Sequence, residues 1–467
     1  MSFSSVIFLF YFLPVFFLCY NAVPAKWKNG AALIGSLVFY AWGEPFGLLF
    51  LLASIAVCGL LLRGMGAGAP AIRRKRLLIL GIVFHVGMLA VFKYAGFFGQ
   101  AALDLLGMER TVPQLPLPVG ISFFTFQILT CLVDVYRGQA DVPSSPMELA
   151  LYVALFPKLT MGPIVRYQDL QAELRQRHAA LQDVSDGIFR FVLGMGKKVM
   201  LANELGALAD SIWNTAQLQI SAADAWLGLI AYALQIYFDF SGYSDMAIGL
   251  GRMMGFHFKE NFIYPYLAKS VSEFWRRWHI SLGSWFREYV YIPLGGSRVS
   301  RWKLLRNLMV VWLLTGLWHG ANWTFLLWGL YYGILICLEK LLKLEKRTIP
   351  AVVRHVGSLF FIVMGWVLFR ADTVSQAVRY VYAMFGGAPM GLIDAAARLH
   401  LHDDLPLLLA AAIGSTPLVK LMARKLTGTC SPAVLSLLKA VCMGILLVLC
   451  TMYLVNATYN PFIYARF

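Results

Sequence analysis

The chain has 467 residues, of which 59% are hydrophobic and 14% charged, and its mean hydropathy is +0.68. That is more apolar surface than a soluble core of this size can hide, so composition excludes a soluble globular or disordered protein and predicts an all-α polytopic membrane protein. The net charge of +16 falls in short loops rather than along one face, which indicates positive-inside topology and no nucleic-acid partner.

A spanning helix needs about 20 mainly apolar residues, and such runs recur from Val6 to Val455, which predicts about ten to twelve spans in one integral domain over residues 1–467. Met1 to Tyr20 has no basic n-region and no Ala-x-Ala cleavage site, so it reads as a retained spanning helix and not a signal peptide. Lys26 and Lys28 follow it and place Met1 outside. The Gly43-Glu44-Pro45 break then divides two short spans that lead to the cytoplasmic Arg73-Arg74-Lys75-Arg76. Arg166 to Asp186 reads as a surface helix and loop, with the next helix starting at Val184-Ser185-Asp186-Gly187. Gly251-Arg252-Met253-Met254-Gly255 has the small-xxx-small spacing that lets helices approach closely. Gly255 to Arg306 is too polar and aromatic to span and reads as interfacial or re-entrant helices, where a site would sit. Arg298 to Arg306, Lys340 to Arg347 and Lys420 to Lys425 mark further cytoplasmic loops. The run from Val434 to Val455 crosses once, leaving the tail 456–467 outside.

Within the apolar stretch Leu308 to Leu338 lies Trp318-His319-Gly320-Ala321-Asn322-Trp323. An ionisable side chain in a lipid core is costly, so a histidine there is a functional candidate. Helical spacing puts Trp312, Thr315, His319, Asn322 and Trp323 on one stripe, thirteen positions separate His319 from Arg306, and the imidazole is expected about 20 Å inward. A neutral imidazole whose second nitrogen is held by a neighbour such as Asn322 or Thr315 is a good general base. Upstream, Ser272 leads a predicted amphipathic helix with Trp275, Trp278, His279 and Leu282 on one face. Arg276, Arg277 and Arg287 point elsewhere, either as an interfacial anchor or toward an anionic ligand such as a nucleotide-bearing thioester or an acidic carrier protein.

Other motifs carry less. No Gly-x-Ser-x-Gly elbow is present, and Gly194-Met195-Gly196-Lys197-Lys198 has Phe191 where a phosphate loop needs glycine. His400-x-His402-Asp403-Asp404 reads as a polar loop rather than a metal site, and the seven cysteines as small hydrophobes.

The motifs Phe123-Phe124-Thr125-Phe126-Gln127, Phe156-Pro157-Lys158-Leu159-Thr160-Met161-Gly162-Pro163-Ile164, Asp239-Phe240-Ser241-Gly242-Tyr243-Ser244-Asp245, Phe274-Trp275-Arg276-Arg277-Trp278-His279 and Trp318-His319-Gly320 occur in this order. The series resembles the membrane-bound O-acyltransferases, in particular their alginate O-acetyltransferase branch, over nearly the whole chain. The resemblance implies a ring of membrane helices around a thin centre, with a cytoplasmic funnel and a route outward. It implies His319 as the catalytic histidine, His279 as its companion, and transfer from acetyl-CoA or an acyl-carrier thioester without a metal or bound cofactor. It also implies a bacterial inner-membrane location and a polysaccharide as final acceptor. The tail Asn460-Pro461-Phe462-Ile463-Tyr464-Ala465-Arg466-Phe467 resembles the end of the small peptide subunit that accompanies the D-alanine-transferring relative. That makes Tyr464 an expected acyl relay to an extracytoplasmic acetyltransferase partner. Its alternative is an aromatic interfacial anchor.

Two other classes are left standing by the residues alone. A lipid or glycan transporter would show inverted repeats and paired intramembrane carboxylates, neither of which is apparent. A structural subunit of a secretion complex would tolerate loss of His319. The polysaccharide, the acyl group beyond a preference for acetyl, and the donor are not legible.

Overall fold

The computed structural model describes residues 1–456 apart from 67, 114, 216–218, 388 and 428–430. All regular structure among them is helical, which is what lipid demands, because a helix satisfies its backbone polar groups internally. Among the described residues, five helices are long and apolar enough to cross a membrane: Pro45–Gly64, Ala71–Leu105, Trp323–Leu341, Ala351–Arg370 and Ala433–Asn456. Ala395–Gly414 and Leu418–Lys425, bent by 71°, make a sixth if they act as one span. Several other apolar runs form helices that are shorter or more polar: Lys28–Gly43 and Ile121–Arg137 have 16 and 17 residues, and Ala222–Met253 carries Asp224, Asp239, Asp245 and Arg252.

The chain folds as two compact units, Met1–Phe191 with Ser244–Lys259, and Val192–Tyr243 with the residues from Glu260 onward. In the first unit, Gly43-Glu44-Pro45 does separate two helices, Lys28–Gly43 and Pro45–Gly64. Phe156 packs against Phe12, Phe16 and Phe39 with ring centroids 5.1 to 5.6 Å apart. Beneath it, the fully buried Lys158 donates to Gln127 Oε1 at 2.5 Å and to the Tyr152 carbonyl, joining two of the sequence motifs.

Two expectations in this unit need correction. The helix after the surface loop starts at Leu181, not Val184, because Asp183 accepts the Ala180 N–H at 3.2 Å and caps the turn earlier. Close helix approach is made by Gly187 and Gly249, not by the Gly251/Gly255 pair. A Cβ on Gly249 would lie 2.5 Å from the Gly187 carbonyl oxygen. Gly251 instead faces the Phe258 ring, and Gly255 turns the chain at φ +82°.

The second unit is built on a helical hairpin, Arg301–His319 followed by Trp323–Leu341. Gly316 and Gly329 let the two backbones touch: a Cβ on Gly316 would lie 2.5 Å from the Phe325 carbonyl oxygen, and one on Gly329 2.5 Å from that of Trp312. Lys198 and Asp239 form an ion pair of 2.6 Å at 2% and 3% side-chain exposure. Its partner helix turn, Lys197–Ala202, is π-helical, a geometry frequent at functional sites. His400 to Asp404 is helical and not a loop, lying within Ala395–Gly414, where His400 reaches the buried Asp224 at 3.1 Å.

Candidate functional site

Helix Arg301–His319 runs unbroken from its basic start to the histidine, so the rise of about 20 Å between Arg306 and His319 stands. Gly320 then leaves the helix in extended conformation. Glycine is needed there for space: a Cβ would meet the Phe325 ring at 2.5 Å. With that ring folded over it, the His319 imidazole is 2% exposed. It sits among Trp318, Trp328, Phe369 and Phe325 at centroid distances of 4.7, 4.9, 5.0 and 6.3 Å.

The exit at Gly320 breaks the expected stripe. Asn322 and Trp323 belong to the next helix, and Trp323 is exposed. Asn322 Oδ1 caps that helix by accepting from Thr324 N at 3.1 Å, while Nδ2 donates to the Asp372 carbonyl at 2.8 Å. Thr315 Oγ1 donates to the Val311 carbonyl at 2.8 Å. Both therefore contact backbone. Asn322 acts on the corner that follows Phe369, and so on the wall of the imidazole.

His279 is brought in by the re-entrant segment. Its first helix, Val271–Arg277, starts at Ser270, which accepts from Glu273 N at 3.0 Å. The Glu339 carboxylate, at the far end of helix Trp323–Leu341, accepts from Val271 N at 2.6 Å and Ser272 N at 2.9 Å. Trp275 packs on Trp312 and Trp328 at 4.8 and 5.4 Å. The expected continuous face from Trp275 to Leu282 is not formed. Trp278 is extended and His279 takes a left-handed conformation, φ 44° and ψ 53°, so a separate helix, Ile280–Phe286, begins beyond it. Left-handed backbone is unfavourable for a residue with a side chain and clusters at functional sites.

The two histidines share one indole. His279, 2% exposed, lies 4.6 Å from the Phe240 ring and 5.9 Å from Trp318, and the Trp318 ring is also 4.7 Å from His319. His279 Nδ1 faces Asn261 Oδ1 at 3.3 Å. In such apolar surroundings charge and hydrogen bonds are weakly screened, and water competes little.

Unlike the two histidines, the arginines are exposed or half-buried. Arg276 is exposed and 3.8 Å from Glu345. Arg277 pairs with Glu273 at 2.7 Å, and Arg287 opens the π-helical turn Arg287–Tyr291 in exposed position. Tyr464 lies outside the described residues, as does the rest of the tail beyond 456. Among the described residues, no three His, Cys, Asp or Glu side chains gather as a metal site would require.

Sequence reasoning missed Asn261 and Glu339. Glu339 carried a usable signal, a carboxylate in the last turn of an apolar helix. Asn261 carried none, because its partners lie 18 to 20 residues away.

Residues 121–372, which contain both histidines, match the membrane-bound O-acyltransferase family. The chain is 43% identical over 404 residues to a probable alginate O-acetylase, AlgI, of Azotobacter vinelandii, covering 84% of this chain and 80% of that one. It is 34% identical over 420 residues to a peptidoglycan O-acetyltransferase of Helicobacter pylori, covering 82% and 80%. A teichoic acid D-alanyltransferase of Bacillus subtilis is 28% identical over 247 residues, 49% and 60% of the two chains. With its apolar helices, its family match and its long relatives, the chain belongs to the membrane-bound O-acyltransferase family and is a multi-pass membrane acyltransferase.

Proposed function

We propose that this acyltransferase moves acetyl groups from a cytoplasmic thioester to an extracytoplasmic polysaccharide from the bacterial inner membrane. The relatives that act on alginate and on peptidoglycan support a polysaccharide as final acceptor. In this reading about ten to twelve crossings, some made by helices shorter than 18 residues, ring a thin centre with a funnel toward the cytoplasm. Acetyl-CoA or an acyl-carrier thioester enters past the basic face of Arg276, Arg277 and Arg287, whose field favours either anionic donor.

The observation that carries the proposal is the burial of His319 and His279 beside one indole, Trp318. His319 accepts the proton of an acceptor hydroxyl as its oxygen attacks the thioester carbonyl. The carbon–oxygen bond forms, the carbon–sulfur bond breaks, and the proton passes to the departing thiolate. The acceptor is Tyr464 arriving from the outer side, with an extracytoplasmic acetyltransferase partner completing delivery, or the partner's own hydroxyl.

The test is acetyl-ester content of the host's secreted polysaccharide when the chain is replaced by His319→Ala or His319→Gln at equal membrane abundance. The proposal predicts near-complete loss in both, and unchanged acetylation would remove it. Mass spectrometry for an acetyl ester on Tyr464, together with a Tyr464→Phe variant, tests the relay separately.

A further inference from the structure

We propose that Asn261 is a positioning residue that fixes the tautomer of His279, keeping the proton on Nδ1 and presenting Nε2 as the basic nitrogen. The inference rests on the acyl-transfer reading above and adds to it a residue and a role.

The side-chain amide of Asn261 is oriented by a donor that has no choice. The backbone N–H of Ser281 donates to Asn261 Oδ1 at 3.1 Å, and because a backbone N–H only donates, the atom facing it is the oxygen. The Asn261 main-chain carbonyl accepts from Ile280 N at 3.0 Å. Two bonds therefore hold this residue to the first turn of helix Ile280–Phe286, and flipping the amide would break one of them. The same Oδ1 lies 3.3 Å from His279 Nδ1. An amide oxygen only accepts, so Nδ1 is the donor. The Ser281 hydroxyl is 3.5 Å from Nδ1 and 3.0 Å from Asn261 Oδ1, so its proton goes to the amide oxygen. A neutral imidazole carries one proton, which leaves the lone pair on Nε2.

This decides between two jobs for His279. With a proton on Nε2 it would donate to the oxyanion that develops on the thioester carbonyl. With a lone pair there it accepts a proton instead. The proton that the attacking hydroxyl gives to His319 is thus handed on by a second basic imidazole, His279, before it reaches the thiolate sulfur. Its number is conserved throughout, and no further reactant is needed.

The charged groups on the elements packed around His279 are few. The Lys198–Asp239 pair lies one residue along from Phe240, and His319 lies one residue along from Trp318. Arg277, two residues before, is paired to Glu273, Arg276 reaches Glu345, and Glu260, beside Asn261, is exposed.

The experiment compares the full-length chain with its Asn261→Asp variant. Aspartate keeps an acceptor for the Ser281 N–H, so a purely structural cap is preserved. A carboxylate facing Nδ1–H also stabilises the imidazolium, so the acidic limb of the pH–rate profile moves up by about one unit or more. A profile superimposable on that of the unmodified chain would overturn the inference. The second measurement needs no activity. In the purified, 15N-histidine-labelled chain, with the His279 signals assigned by their loss in His279→Gln, Nδ1 appears as the protonated nitrogen and Nε2 as the unprotonated one. The reverse assignment would also overturn it. Absence of acetyl transfer by the unmodified chain would instead strike the acyl-transfer reading, while the nitrogen spectrum still decides the tautomer.

Discussion

The contact between Gly316 and Gly329 should control activity from a distance, because nothing soft lies at it. Gly316→Ala would put a Cβ 2.5 Å from the Phe325 carbonyl oxygen and 3.2 Å from the Gly329 Cα. An ordinary carbon–oxygen contact is about 3.3 Å, so the helices must separate by about 0.8 Å. Both neighbours are backbone atoms, and no rotamer change can absorb the shift. His319 is three residues along the same helix, and Phe325, whose carbonyl is struck, is one of the rings around it. Overpacking of this kind costs about 1–3 kcal/mol, and misplacing a catalytic group by of order 1 Å costs about 100-fold in rate. The assay is acetyl-ester yield per inserted chain, with thermal unfolding of the purified protein alongside. Gly357→Ala is the control, since a Cβ there meets nothing within 4 Å, and it should leave activity unchanged. Wild-type rate and Tm in Gly316→Ala would refute the reasoning.

Other perturbations follow from single contacts. Glu339→Gln replaces the carboxylate that accepts from Val271 N and Ser272 N. It should cost about 1–3 kcal/mol in stability and lower the transfer rate, because helix Val271–Arg277 leads directly to His279. Equal Tm and rate would argue that this attachment is unimportant. Lys198→Met removes one partner of a buried ion pair and should destabilise by about 3–5 kcal/mol, whereas Lys198→Met with Asp239→Leu should cost less than Lys198→Met alone. An additive, larger loss in the double variant would show that the pair is not the source of the effect.

Much of this architecture is legible in the sequence, and the failures share a cause. The Gly43-Glu44-Pro45 break, five or six of the apolar spans and the unbroken helical rise from Arg306 to His319 follow from local composition and the constant rise of a helix. The stripe from Trp312 to Trp323 and the face from Trp275 to Leu282 do not survive, because helical periodicity was carried across two breaks. Gly320 announces the first by its residue type. His279 conceals the second, since left-handed backbone at a histidine is imposed by long-range bonds to Asn261. The same reason hides the tie from Asn322 to the Asp372 carbonyl, 50 residues away. Helix length and polarity explain the span count: Lys28–Gly43 and Ile121–Arg137 are apolar yet short, with sixteen and seventeen residues, and Ala222–Met253 is long yet carries charges.

The most direct test of the central claim is whether His319 and His279 act in one chemical step. Acetyl-ester formation should be measured for His319→Ala, His279→Ala and the double variant at matched membrane abundance. General-base loss predicts a drop of about 10²–10⁴-fold for His319→Ala, a large drop for His279→Ala, and a double variant scarcely worse than His319→Ala alone. Activity losses that multiply, or a His319→Ala variant that still acetylates at the wild-type rate, would contradict the account.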